Sequence, residues 1–143
     1  MANTMKGLVL VVGLFQAFLT FPARADDAQP SVEARAIISR QLDAFAHDDG
    51  PAAYALAAPG LKTMFTDADV FMDMVRSKYA PVYRHRSIDF GTPQVDGDAI
   101  AITATIVDGD NHVWTALYKL QRQPDGQWLI NGCMLIKSQE SAL

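Results

Sequence analysis

The sequence predicts an α+β domain with N-terminal helices packed on one face of a curved antiparallel sheet. Three observations carry that prediction. Apolar residues recur at helical spacing up to about residue 85, and from Arg86 onward the period drops to two. Turn dipeptides separate the alternating segments. No helical stretch intervenes between the long strands, so a parallel crossover sheet is unlike this chain.

Before the domain stands a different kind of segment. Lys6 precedes a charge-free run of 15 residues, Gly7 to Phe21, which ends in Pro22-Ala23-Arg24-Ala25. A basic start, a short apolar stretch and an Ala-x-Ala end make a secretory signal peptide, with cleavage expected after Ala25. The run is short of the roughly 20 apolar residues a spanning helix needs. The expectation is an exported protein, periplasmic or secreted, with no membrane attachment after cleavage. The division is 1–25 signal peptide and 26–143 a single α+β domain, a size that holds one core.

Losing Lys6 and Arg24 moves the formal net charge from −4 to −6. Such an acidic chain argues against nucleic acid or an anionic membrane surface as a partner. The sole cysteine, Cys133, excludes an internal disulfide. It lies in the apolar run Gly132-Cys133-Met134-Leu135-Ile136 and reads as a small buried hydrophobe, with an intermolecular bridge or a nucleophile as the functional alternatives.

The first helix takes Ser31 as its N-cap and carries Ala34, Ile38, Leu42 and Phe45 on one stripe, ending near His47-Asp48. Asp49-Gly50-Pro51 opens a short Ala-rich helix that stops at Pro59-Gly60. Thr66 with Asp69 resembles a capping box for a third helix, whose apolar side is Ala68, Phe71 or Met72, Val75 and Tyr79, and Pro81 limits it. About four strands follow. Ile88 and Phe90 alternate with Ser87 and Asp89. Ile100, Ile102, Ala104 and Ile106 form the next stripe. Asp96-Gly97, Asp108-Gly109 and Gln123-Pro124-Asp125-Gly126 are the turns.

Taking Pro124-Asp125-Gly126 as the last loop pairs Gln123 with Gln127, Leu120 with Ile130 and Tyr118 with Gly132. Trp114, Ala116, Tyr118 and Leu120 then share a face with Trp128, Ile130, Met134 and Ile136, and burial adds the isoleucine stripe. That inner face has Tyr118 as its one titratable group. The outer face holds Thr103, Thr105, Thr115, Lys119 and Asn131 mixed with Val113, Leu117, Leu129, Cys133 and Leu135. This mixture fits a homodimer interface through the sheet, against an open threonine-rich surface.

The run Gln41-Leu42-Asp43-Ala44-Phe45-Ala46-His47-Asp48-Asp49 before an Ala-rich helix, and the ending Gly126-Gln127-Trp128-Leu129-Ile130-Asn131-Gly132-Cys133, resemble the nuclear transport factor 2-like superfamily, which includes ketosteroid isomerase and the polyketide cyclases. The run Phe71-Met72-Asp73-Met74-Val75 before Tyr79-Ala80-Pro81-Val82, with the Trp128 to Cys133 ending, most resembles the family called domain of unknown function 4864. The resemblance implies a cone-shaped fold, a curved sheet wrapped on helices around a pocket, often dimeric through the sheet. It implies no activity, since that superfamily hosts enzymes, binders and interaction modules alike. The isomerase's acidic base and oxyanion donors have no matching motif, so no catalytic residue carries over.

Among the residues themselves, Tyr79, Trp114, Tyr118 and Trp128 are the candidates for lining a pocket, with core packing as the commoner fate of such side chains. His47, His85 and His112 have no companion ligand at a metal spacing, and no metal or cofactor is expected. Tyr83-Arg84-His85-Arg86 with Arg76 and Lys78 could clamp an anion or protect a strand edge. His85 with Asp89 fails as an acid–base pair because alternation turns both away from the core. The resulting expectation is an exported, non-enzymatic domain that binds an apolar small molecule or a protein partner. Its alternative is a small isomerase- or cyclase-like enzyme using Tyr118 with a helix carboxylate such as Asp43 or Asp73.

Overall fold

The computed structural model describes residues 25–141; the expected signal segment lies, but for Ala25, outside them. Five helices come first: α1 (Ala25–Ala46), α2 (Gly50–Ala55), α3 (Pro59–Met64), α4 (Ala68–Lys78) and α5 (Ala80–Tyr83). Five strands follow: β1 (His85–Phe90), β2 (Gln94–Asp96), β3 (Ala99–Asp108), β4 (His112–Arg122) and β5 (Trp128–Ser141). The sheet is antiparallel, curved and unclosed, in the order β1-β3-β4-β5, with β2 paired on the same edge of β3 as β1. No helix of the described residues is long and apolar enough to cross a membrane.

The helix α1 buries Ala34, Ile38, Leu42 and Phe45 at the expected spacing, with Ile37 and Gln41 completing the stripe. Its start differs from expectation. Ser31 is not the cap but lies inside the helix, its hydroxyl donating to the Asp27 carbonyl at 2.7 Å. Pro30 is accommodated because it forfeits a single backbone bond in the first turns, where the ladder is weakest. The far end closes on Asp48, which takes φ 54°. Asp49 N–H reaches back to the Ala44 carbonyl and Asp48 N–H to that of Phe45, the paired bonds of a left-handed helix stop.

Asp49 caps α2 as expected, its carboxylate accepting from Ala52 N–H at 3.1 Å. One expectation fails, and a second holds with an addition. Pro59 does not terminate α2, which ends at Ala55; it opens α3. The third helix, α4, does stop before Pro81, at Lys78, and Pro81 in addition stands in the first turn of α5. Proline needs no amide partner in a first turn, so one residue type marks both stops and starts. The cap of α4 is Asp67, accepting from Val70 N–H at 2.8 Å, and not Thr66.

On β3 and β4 the even-numbered positions turn inward: Ile100, Ile102, Ala104 and Ile106 beside Ala116, Tyr118 and Leu120, all buried under the helices. The β4–β5 turn places Gln123 opposite Gln127 and Leu120 opposite Ile130, with Gly126 at φ 87°. Past Ile130 the expected register breaks. Lys119 pairs with Gly132 while Leu120 pairs with Ile130, so Asn131 is an extra residue, a bulge. Tyr118 therefore pairs with Cys133 and not Gly132. Downstream parity inverts: Cys133 and Leu135 pack against the core, and Met134 and Ile136 look outward, 57% and 56% exposed. The connection between α2 and α3 explains the site of the bulge. Ile130 spends its backbone groups there, donating to the Leu56 carbonyl and accepting from Ala58 N–H, which covers the free edge of β5.

Candidate functional site

Between the helices and the inner sheet face lies a cavity of about 180 Å³. Phe45 of α1, Phe71, Met74 and Val75 of α4, and Val82 of α5 supply its apolar wall. Leu61, Met64 and Phe65 line it from the α3 side, where Met64 is 71% exposed and so stands at the mouth. The sheet contributes Tyr118, Ile130, Gly132 and Cys133. Among these lining residues no side chain is charged at neutral pH.

Four polar groups interrupt the apolar wall. Gln41, buried on α1, donates through Nε2 to the Ala53 carbonyl at 3.2 Å. The Tyr79 hydroxyl donates to the Cys133 carbonyl at 2.9 Å, tying the end of α4 to β5. Burial, then the neighbouring Cys133, raises the Tyr79 pKa. The Cys133 thiol is pushed up to about 12 by burial, against a smaller lowering by the Tyr118 hydroxyl. Tyr118 is 1% exposed, and its hydroxyl, sealed from water, lies against the Cys133 side chain. Burial first, and Cys133 second, hold its pKa well above the usual value. Both phenols and the thiol are therefore neutral donors across the physiological range.

Of the four residues singled out in the sequence, Tyr79 and Tyr118 come together on this cavity. Trp128 is buried elsewhere, beside Ile37 and Leu56. Trp114 sits at the far end of the sheet, where its indole N–H donates to Asp108 Oδ2 at 2.8 Å and Lys137 stands 5.5 Å from the ring centre. Gln41 and Cys133 were missed. Gln41 had a visible signal, the one polar side chain among Ile37, Ile38, Leu42 and Phe45. Cys133 was assigned outward because the bulge has no signature in an apolar run.

Two other clusters have structural work. Asp108, Asp110 and His112 converge at the β3–β4 hairpin, contrary to the expectation that no histidine has a companion ligand at a metal spacing. Asp108 Oδ1 accepts from the backbone N–H groups of Asp110 and His112, both at 2.9 Å, while Oδ2 accepts from Trp114 and lies 3.3 Å from His112 Nδ1. Burial raises the Asp108 pKa, but those hydrogen bonds and the His112 charge together hold it below the usual value. The carboxylate is the scaffold of its own turn. The basic cluster is equally committed. Arg84 pairs with Asp48 at 2.8 Å, donates to the Phe45 carbonyl and lies 4.1 Å from the Tyr83 ring centre. Arg76 donates to the Tyr83 hydroxyl and to Asp73, and Arg86 donates to Asn111. Tyr83 also donates to Asp48, so this network locks α5 onto the end of α1.

Helices laid on one face of an open antiparallel sheet, with an apolar cavity between the layers, define an α+β domain built around an internal pocket. The chain belongs to the family described as Domain of unknown function (DUF4864), whose model matches residues 27–143. No curated protein matches the sequence.

Proposed function

We propose that this protein is an exported binding domain that takes up a small apolar molecule in the cavity between its helices and sheet, and pairs with a second copy through the outer sheet face. The observation that supports uptake is the cavity itself, about 180 Å³ and walled by apolar and aromatic side chains. That is close to the ~150 Å³ apolar cavity that takes up benzene in an engineered protein. The enzyme reading lacks its second group: Asp43 and Asp73 are 76% and 79% exposed, beside His47 and Arg76, and neither lines the cavity with Tyr118. Export rests on the leader sequence of residues 1–25.

The test is a titration of the methyl-labelled chain with benzene, followed by NMR. Saturable shifts should appear at Leu61, Met64, Met74 and Val75 and vanish in Val75→Phe, which fills the space. Shifts that never saturate, or that spread over the outer sheet face, would sink the uptake reading.

A further inference from the structure

Gln41 is the feature the apolar reading leaves unexplained. Tyrosines apart, it is the one polar side chain buried among the described residues, 4% exposed, and it lines the cavity. Its companions on α1 are Ile37, Ile38, Leu42 and Phe45, so the amide gives up its hydration in an apolar setting. The structural service it returns is small. Nε2 donates to the Ala53 carbonyl, an oxygen that already accepts from Leu56 N–H at 3.3 Å. That bond turns the amide nitrogen toward α2 and leaves Oε1 receiving no hydrogen bond from the described residues. Oε1 is nevertheless not sealed: the sealed oxygen of this wall is the Tyr118 hydroxyl, and Oε1 stays within reach of a small molecule in the cavity. Nearly all buried polar groups in native proteins find a partner, so an acceptor held open on an apolar wall points to a donor that arrives with the ligand.

The hydroxyl protons of the wall are spent on the wall itself. Tyr79 donates to the Cys133 carbonyl, and the Tyr118 hydroxyl lies against the Cys133 side chain. What remains for a ligand is an acceptor. The lining carries no charged side chain, so an ion of either sign would enter without a counter-charge, which is strongly unfavourable. The volume suits one ring with a short substituent. Gln41 is buried while Met64 at the mouth is exposed, which sets an orientation, donor inward and hydrocarbon toward α3. Resting on the uptake reading above, we infer that the cavity is built for a neutral, ring-sized molecule carrying one hydrogen-bond donor, a phenol in the simplest case, whose O–H is received by Gln41 Oε1.

The probes p-cresol and p-xylene test this, because they share shape and differ in O–H against CH3. Both are titrated into the wild-type chain and into Gln41→Met by methyl NMR at pH 7, with p-tolunitrile as a third probe that accepts and cannot donate. The substitution should weaken p-cresol binding about five- to tenfold, tenfold being ~1.4 kcal/mol, the order of one neutral hydrogen bond. Affinities for p-xylene and p-tolunitrile should stay within about twofold. The wild-type chain gives a second readout that needs no substitution: the Gln41 Cδ resonance should move further downfield on saturation with p-cresol than with p-xylene. Equal effects of Gln41→Met on p-cresol and p-xylene, or equal Cδ shifts, as a resident water on Oε1 would give, overturn the donor assignment and leave uptake standing. A loss for p-tolunitrile as large as that for p-cresol reverses the direction of the bond and overturns it too. Failure of p-cresol and p-xylene to bind the wild-type chain removes uptake and this inference together.

Discussion

Cys133 shows how much one residue's environment decides. Its thiol faces the cavity among Tyr118, Ile130 and Val75, and burial raises its pKa to about 12. The nucleophile is the thiolate, so at pH 8 the native chain holds a fraction on the order of 10⁻⁴ in reactive form, against about a quarter for a free cysteine. Iodoacetamide should alkylate the folded chain roughly a thousandfold more slowly than the chain in urea. The sign of the pH dependence is also fixed: because the folded pKa is raised, the native rate should go on climbing well above pH 9, where a free thiol has levelled off. A native rate equal to the urea rate at pH 8, or a plateau near 9, would contradict the burial of this side chain. At the same scale, Asp48 holds a left-handed conformation usually given to glycine, and it does so because its carboxylate receives Tyr83 and Arg84.

Among the elements, β5 decides what the molecule can do. Asn131 is one residue too many for the β4–β5 ladder, and that insertion is what brings Cys133 and Leu135 inside. Deleting Asn131 should remove the bulge and restore simple alternation, with Gly132 still opposite Lys119 and Cys133 still inside opposite Tyr118. Losing the local bend beside Ile130, which bonds Leu56 and Ala58, should destabilise the chain by about 1–3 kcal/mol in a denaturant titration, while Asn131→Ala, which keeps the extra residue, stays within about 1 kcal/mol. Alkylation of Cys133 should stay slow in the folded deletion variant, because its inward parity is kept; equal stability of deletion and substitution would show that the bulge is idle. This element also marks the limit of what sequence could reveal. The isoleucine stripe of β3 and the Pro124-Asp125-Gly126 turn were legible because polar residues alternate with apolar ones, or because only glycine suits the turn. From Ile130 to Ile136 apolar side chains occupy both parities, so no pattern distinguishes a flat strand from a bulged one. The place of Cys133 on the cavity wall was hidden for that reason. Another part, Leu61, Met64 and Phe65, was hidden because Pro59-Gly60 reads as a stop while the structure uses it as a start.

At the scale of the whole molecule the inversion of β5 changes the outer face as well as the inner one. Cross-strand pairing sets Leu117 beside Met134 and Thr115 beside Ile136, with Thr103 and Thr105 continuing the rows on β3. Met134 and Ile136 are among the large apolar side chains that the helices leave uncovered, and they stand on adjacent outward positions of one strand. The outer face is thus more apolar than the expected assignment of Cys133 and Leu135 made it, and a contiguous apolar patch is what a pairing surface requires. The proposed dimer then has a specific test. Sedimentation velocity across the micromolar range should show the wild-type chain as a dimer and the double variant Met134→Lys, Ile136→Lys as a monomer, because two like-charged pairs would face each other across the symmetry axis. Both positions are solvent-exposed in the single chain, so the variant's melting temperature at low concentration should stay close to wild type. A wild-type chain that sediments as a monomer throughout would remove the pairing, and a double variant that remains dimeric would move it to another surface. Uptake is separable from either result: the cavity lies between the helices and the opposite face of the sheet, so benzene affinity should be the same in the paired and unpaired chains.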